Sequence, residues 1–397
     1  MPTVTYPSHT TLATGVVPGT HGITGNAVFD PLGNRDGEWF WYEEEIRVPT
    51  LWGVARGHGL RTALIGWPVT MGARADAVVP EFWRGRGIDV ARLLRAISTP
   101  GLLDDVAREF PDFYAGLTPP VTKDESLADV AIHVIRHERP NLLMLHLSAV
   151  DHWQHEKGPW SPEALAAIEN ADGQIARVLD AAQMAGILEQ TLVAIVSDHG
   201  FARQQKVLRP AVLLRQKGLI TLDEKNRVKS WRAQVATSGG SAYVYVKDAS
   251  DAEAQNAVME LFRGLSGQPG SGIARVFTRE QIAALGGDPE AFLAIEAAEG
   301  FGFILGASGD AVADATVPGL HGFPSDREDM RSSLILRGPE VGAGRIEGVR
   351  MVDVAPTVAR WLGLRLEKAE GKPLVLPARA KSSREKPLEQ KRDPTPK

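Results

Sequence analysis

Cysteine is missing from all 397 residues, which removes disulfides, thiolate metal ligands and cysteine nucleophiles together. Any metal site must therefore use the ten histidines and the carboxylates. No apolar run approaches the roughly 18–20 residues that span a bilayer. Residues 1–20 lack the basic start and apolar core of a secretory signal. Charge of one sign is not in excess either: 44 Lys and Arg face 49 Asp and Glu, a net charge of −5. Nothing in that balance draws the chain as a whole onto nucleic-acid polymers or anionic membranes, so an anionic substrate has to be captured locally.

What is present has the make-up of a globular chain, with 43% hydrophobic and 23% charged residues, and a length that accommodates one large α/β domain or two ordinary ones. Short β-branched apolar runs mark strands at Thr62–Val69, Leu142–Val150, Thr191–Ser197, Ser241–Val246, Gly302–Ala307 and Ser332–Gly338. Helical periodicity fills ESLADVAIHVIRHE, SPEALAAIENADGQIARVLDAAQMAG and DAEAQNAVMELFRGL. Alternation of the two predicts a mostly parallel central sheet with helices on both faces. We read residues 1–375 as one such domain, with a smaller inserted subdomain over 205–314. Near its end DVAPTVARWLGL predicts a helix capped by Asp353. Residues 376–397 are polar and Pro-punctuated, a solvated, disordered tail.

Two of the predicted strands run into acids, Asp151 after LLMLHLSAV and Asp198 after TLVAIVS. Ligands bind beyond the carboxyl ends of strands in open parallel sheets, so these acids are placed to meet. Each has a histidine beside it. His155 follows Asp151 at a four-residue spacing that puts both on one side of a helical turn or compact loop, and His199 follows Asp198 directly, with Gly200 freeing the backbone to turn. GLHGF adds His321. Two carboxylates and three imidazoles suit a pair of divalent ions, zinc ahead of manganese or iron. Paired metals clamp attacking and leaving oxygens in phosphoryl or sulfuryl transfer, which then needs a nucleophile. TYPSHTTLATG offers Thr5, just before Pro7 at a helix start, where unpaired amides suit phosphate. On local sequence alone, Thr5 and Ser8 read better as helix caps.

Taken together, PTVTYPSHTTLATGVVPGTHGITGN, DHWQHEKGP, SDHGF and GLHGF resemble the ordered motif set of the type I phosphodiesterase/nucleotide pyrophosphatase family of the alkaline phosphatase superfamily. The resemblance implies an alkaline-phosphatase-like fold and a zinc-dependent hydrolase of phosphodiester or pyrophosphate bonds in small-molecule or nucleotide substrates. It implies catalysis by Thr5, which becomes phosphorylated, and by Asn26, which binds a phosphoryl oxygen. Asp151, His155 and His321 would hold one Zn2+; Asp198 and His199 would hold the other. His9 and His21 read as packing or supporting groups, and His58, His133, His137, His146 and His152 receive no role. Trp67, Trp153, Trp160 and residues 205–314 are candidates for the pocket walls. A phosphomonoesterase, a phosphonate hydrolase or an inactive binding module are the alternatives. One departure weakens the second zinc site: the family's Asp-Gly ligand on a first strand has no counterpart before Thr5, so the N-terminal first strand is expected to be missing. With it would go an export signal, implying a periplasmic or extracellular protein, and otherwise a cytoplasmic one.

Overall fold

The computed structural model describes residues 2–35, 37–82, 90–117 and 123–378; the tail expected over 376–397 lies almost wholly outside them. At its centre the Thr62–Trp67 strand pairs in parallel with Ala77–Pro80 on one side and Leu142–Leu145 on the other, Thr62 opposite Leu142 and Ile65 opposite Leu145. All six residues of Thr62–Trp67 are buried, as expected of a parallel strand covered on both faces. Successive side chains point to opposite faces. Ala63, Ile65, Leu143 and Leu145 therefore pack against the helices Leu102–Glu109 and Lys123–His137. Leu64, Leu142 and Met144 pack against Thr5–Thr14, Leu51–Gly57 and Val354–Trp361, and Trp67 joins them because the register shifts after Ile65.

The Val193–Val196 strand pairs antiparallel with Leu334–Arg337. It has no partner in Leu142–Leu145, and between these two strands lies a cavity of about 1540 Å3, lined by residues of both. Farther along, Ala202–Leu208 pairs with Gly300–Phe303 in parallel and with Val312–Asp314 and Gly319–Leu320 antiparallel. Ala233–Ser238, Ser241–Val246, Leu293–Ala297 and Ile273–Phe277 form a four-stranded antiparallel sheet. Phe262 and Val258 of the Ala252–Leu265 helix are buried in the core behind that sheet.

Two local readings are corrected. The run Leu142–Val150 is a strand only to Leu145, and a helix, Ala149–Lys157, takes over. Asp353 makes no side-chain cap for Val354–Trp361; its carboxylate accepts instead from the Lys372 and Arg350 backbone N–H groups, holding the chain after that helix against its start.

Candidate active site

Thr5 is the first residue of the Thr5–Thr14 helix, Val4 holds the cap position, and no side chain caps the end. The Thr5 hydroxyl is thus not spent on capping, and neither is that of Ser8. The helix is buried almost throughout despite its four threonines. Thr10 and Thr14 satisfy their hydroxyls by donating to carbonyls four residues back, at 2.8 and 2.7 Å. Thr3 then ties the segment before Thr5 to the GLHGF loop through Thr3 N–H to Phe323 O and Gly322 N–H to Thr3 O. Residues over 300 apart in sequence meet because of that ladder.

Asp151 lies in the first turn of the Ala149–Lys157 helix, with His155 one turn on. Their side chains approach to 3.6 Å, Nε2 to Oδ1, and His321 Nε2 reaches the same Asp151 oxygen at 3.5 Å. His199 Nε2 is 3.2 Å from Asp198 Oδ2, 4.0 Å from Asp151 Oδ1 and 3.5 Å from Thr5 Oγ1. All five expected ligand residues, with Thr5 and Asn26, line one cavity. Gly200 serves space rather than turning: a side chain there would strike Asp329 O at 2.0 Å.

The donors are also set up chemically. Nδ1 of His155 faces Gly319 O at 3.0 Å, Nδ1 of His199 faces Gly200 O at 3.1 Å, and Nδ1 of His321 faces Thr3 O at 3.3 Å. A carbonyl only accepts, so each ring holds a proton on Nδ1 and turns Nε2 toward the acids. Burial lowers the pKa of His155, and lowers that of His321 far more, with the neighbouring imidazoles adding to the effect. The His199 and His321 rings stack 3.8 Å apart. Burial works against ionisation of Asp198, but His199, His9 and His146 outweigh it and hold the carboxyl below its usual value. Asp151 goes the other way: burial, then the charges of Asp198 and Glu81, push it well up. Its Oδ1 is buried and accepts no hydrogen bond. A buried carboxylate oxygen without a donor, facing neutral imidazole nitrogens, fits a divalent cation. Asp151, His155 and His321 offer three converging ligand atoms, while Asp198 and His199 offer two beside Thr5.

Asn26 accepts the Tyr6 N–H on Oδ1 at 2.9 Å, which uses its acceptor and leaves the NH2 for another group. His9 Nδ1 donates to Thr5 O at 2.9 Å and lies 3.5 Å from Asp198 Oδ2. It supports both the helix start and the acid. His21 is a packing group: buried between Thr11 Oγ1 and the Ile23 N–H, it is pushed down to about 3. Two residues at this cavity were not anticipated. His146 meets the His9 ring edge to face, with ring centroids 4.3 Å apart, and lies 3.7 Å from Glu81. Both follow the carboxyl ends of strands, Leu142–Leu145 and Ala77–Pro80, the one sequence signal that could have flagged them. Of the expected pocket walls, Trp67 lines the cavity; Trp153 and residues 205–314 do not, and Trp160 is exposed.

The family model "Type I phosphodiesterase / nucleotide pyrophosphatase" matches residues 1–295. The chain belongs to this family. Among its relatives, human ectonucleotide pyrophosphatase/phosphodiesterase family member 1 is 26% identical over 209 residues, covering 50% of this chain and 19% of that protein. An uncharacterised pyrophosphatase/phosphodiesterase of Schizosaccharomyces pombe is 26% identical over 212 residues, covering 51% of this chain and 36% of its own length. The chain thus matches only a minor part of these curated relatives. In structure it is similar to murine ectonucleotide pyrophosphatase/phosphodiesterase 5, with a TM-score of 0.61 at 19% identity over 93% of this chain and 86% of that one. An inactive, AMP-bound form of the murine protein gives 0.60. The fold is accordingly alkaline-phosphatase-like. Among the described residues no helix is long and apolar enough to cross a membrane.

Proposed function

We propose that this chain hydrolyses phosphodiester or pyrophosphate bonds of small nucleotide-like substrates through a phosphothreonine intermediate on Thr5. The observation that carries the reading is a helix-start hydroxyl free of capping duty, 3.5 Å from a buried imidazole that sits between two half-buried carboxylates. Asp151, His155 and His321 would hold one zinc ion, and Asp198 and His199 the other. Such ions lower the pKa of a nearby hydroxyl or water and offset charge on phosphoryl oxygens.

Thr5 Oγ1 attacks phosphorus as its proton passes to solvent: a P–O bond to threonine forms as the opposite P–O bond breaks, and the leaving oxygen departs with that electron pair and takes a proton from solvent, freeing the alcohol or nucleotide. Asn26, its carbonyl oxygen already held by Tyr6 N–H, turns its NH2 toward a non-bridging oxygen, where charge develops. Water then attacks the phosphothreonine from the far side and returns the Thr5 hydroxyl. His9 and the three Nδ1–carbonyl bonds keep the acids and imidazoles in register while this occurs. A nucleotide substrate is supported by the AMP-bound murine neighbour.

The test is turnover of bis(4-nitrophenyl) phosphate by zinc-loaded protein, with acid quenching to trap the labelled residue. Thr5→Ala should lower kcat by about a thousandfold or more, and the trapped label should map to Thr5. Unchanged turnover in that variant sinks the mechanism. No turnover with at most one zinc per chain supports a binding module instead.

A further inference from the structure

The Lys123–His137 helix carries a second concentration of imidazole, far from Thr5 in the chain and absent from the cavity lining. His133 and His137 lie four residues apart, so they project from one side of the helix. Glu109, the last residue of the Leu102–Glu109 helix, faces both. Its Oε2 is 2.7 Å from His133 Nδ1 and 3.3 Å from His137 Nε2, and the two rings are 4.4 Å apart between centroids. The three ligand atoms fall within 4.8 Å of one another.

We propose that Glu109, His133 and His137 form a metal site separate from the active centre, selective for a borderline divalent cation such as zinc. With metal–ligand bonds of about 2.1 Å, tetrahedral geometry puts ligand atoms about 3.4 Å apart. The His137–Glu109 separation already has nearly that value, and the His133–Glu109 pair needs to open only slightly. Without a cation, each imidazole has to hold a proton on the nitrogen that meets the shared oxygen; a cation replaces both donors at once. Two imidazoles and one carboxylate favour zinc over magnesium or calcium. Arg136 donates to the other carboxylate oxygen, Oε1, at 2.5 Å. It fixes the carboxylate plane and leaves Oε2 toward the rings, and its positive charge keeps the affinity moderate. His137 is exposed and His133 buried, so the site opens to solvent for exchange and for a fourth, water ligand. Bound there, a cation would join the carboxyl end of one helix to the last turn of the next.

Zinc chloride titrated into purified protein, with counting of bound metal, reads the site directly. His137→Ala, at the exposed position, should remove one zinc per chain with diesterase turnover and metal-free melting temperature unchanged. Zinc should also protect His133 and His137 from diethyl pyrocarbonate, read peptide by peptide. Glu109→Gln should weaken that protection by at least the roughly tenfold that loss of a supporting partner costs. An equal zinc count in wild type and His137→Ala, or equal reactivity of both histidines with and without zinc, overturns the proposal. Neither readout depends on Thr5, so it fails or stands apart from the phosphodiesterase reading.

Discussion

At the residue scale, the proton on each ring matters as much as its position. His155 and His321 are neutral by burial, and unfolding would restore ordinary values of about 6.5. The unfolded chain therefore binds more protons than the folded one as pH falls below that value, and folding stability drops with it. Asp198, held below its usual value, adds stability that is present above the ordinary carboxylate range and disappears under it. Asp151, pushed up in the fold, works the other way by gaining a proton as pH falls, so the imidazole contribution is read as the difference between wild type and variant in calorimetric scans of metal-free protein. Replacing His321 with Asn should remove its share of the fall in stability below about pH 6.5. The same dependence on pH in wild type and variant would show that burial of His321 does not shift its protonation. Thr5, Asp151, His155, Asp198, His199 and His321 were readable from motif order. His146 and Glu81 were not, since each stands alone in the sequence and gains meaning only from its neighbours in the fold, His146 beside His9 and Glu81 beside His146.

At the scale of elements, glycines let the GLHGF loop reach the nucleophile helix. Gly322 has φ +89°, and a Cβ there would lie 1.7 Å from Ser238 O; a Cβ on Gly319 would lie 1.7 Å from Gln154 O. Backbone cannot yield as a side-chain tip can, so Gly322→Ala should cost about 3 kcal/mol or more. It should also displace His321, so zinc affinity should fall together with melting temperature. Retained zinc affinity in a stable Gly322→Ala protein would show that the loop does not fix His321. Helices were legible where periodicity ran long, as in Pro162–Met184, whose N-cap Ser161 accepts from Ala164 N–H at 3.2 Å. The change from strand to helix after Leu145 was not, because LLMLHLSAV is apolar throughout and apolar runs do not distinguish the two states by period. The end of the strand shows only in the pairing with Thr62–Trp67, whose last matched pair is Ile65 with Leu145.

At the scale of the whole molecule, the main sheet is divided by the cavity between Leu142–Leu145 and Val193–Val196. Among the described residues neither strand has a partner on its cavity side, so amides there rely on water or exchange freely. Hydrogen-exchange mass spectrometry should find peptides over 142–145 and 193–196 exchanging well ahead of Thr62–Trp67, which is paired on both sides. Equal protection in all three would mean that the gap closes in solution. Composition and local pattern determined that this chain is a globular α/β protein with His and carboxylate chemistry and no thiol chemistry, because periodicity and residue type are local properties. The tertiary structure alone decided which lone pairs face each other, that Thr5 has no capping duty, and that Glu109 meets His133 and His137. Those facts depend on segments up to 320 residues apart being joined by backbone ladders such as Thr3 to Phe323, and no local pattern encodes such a meeting.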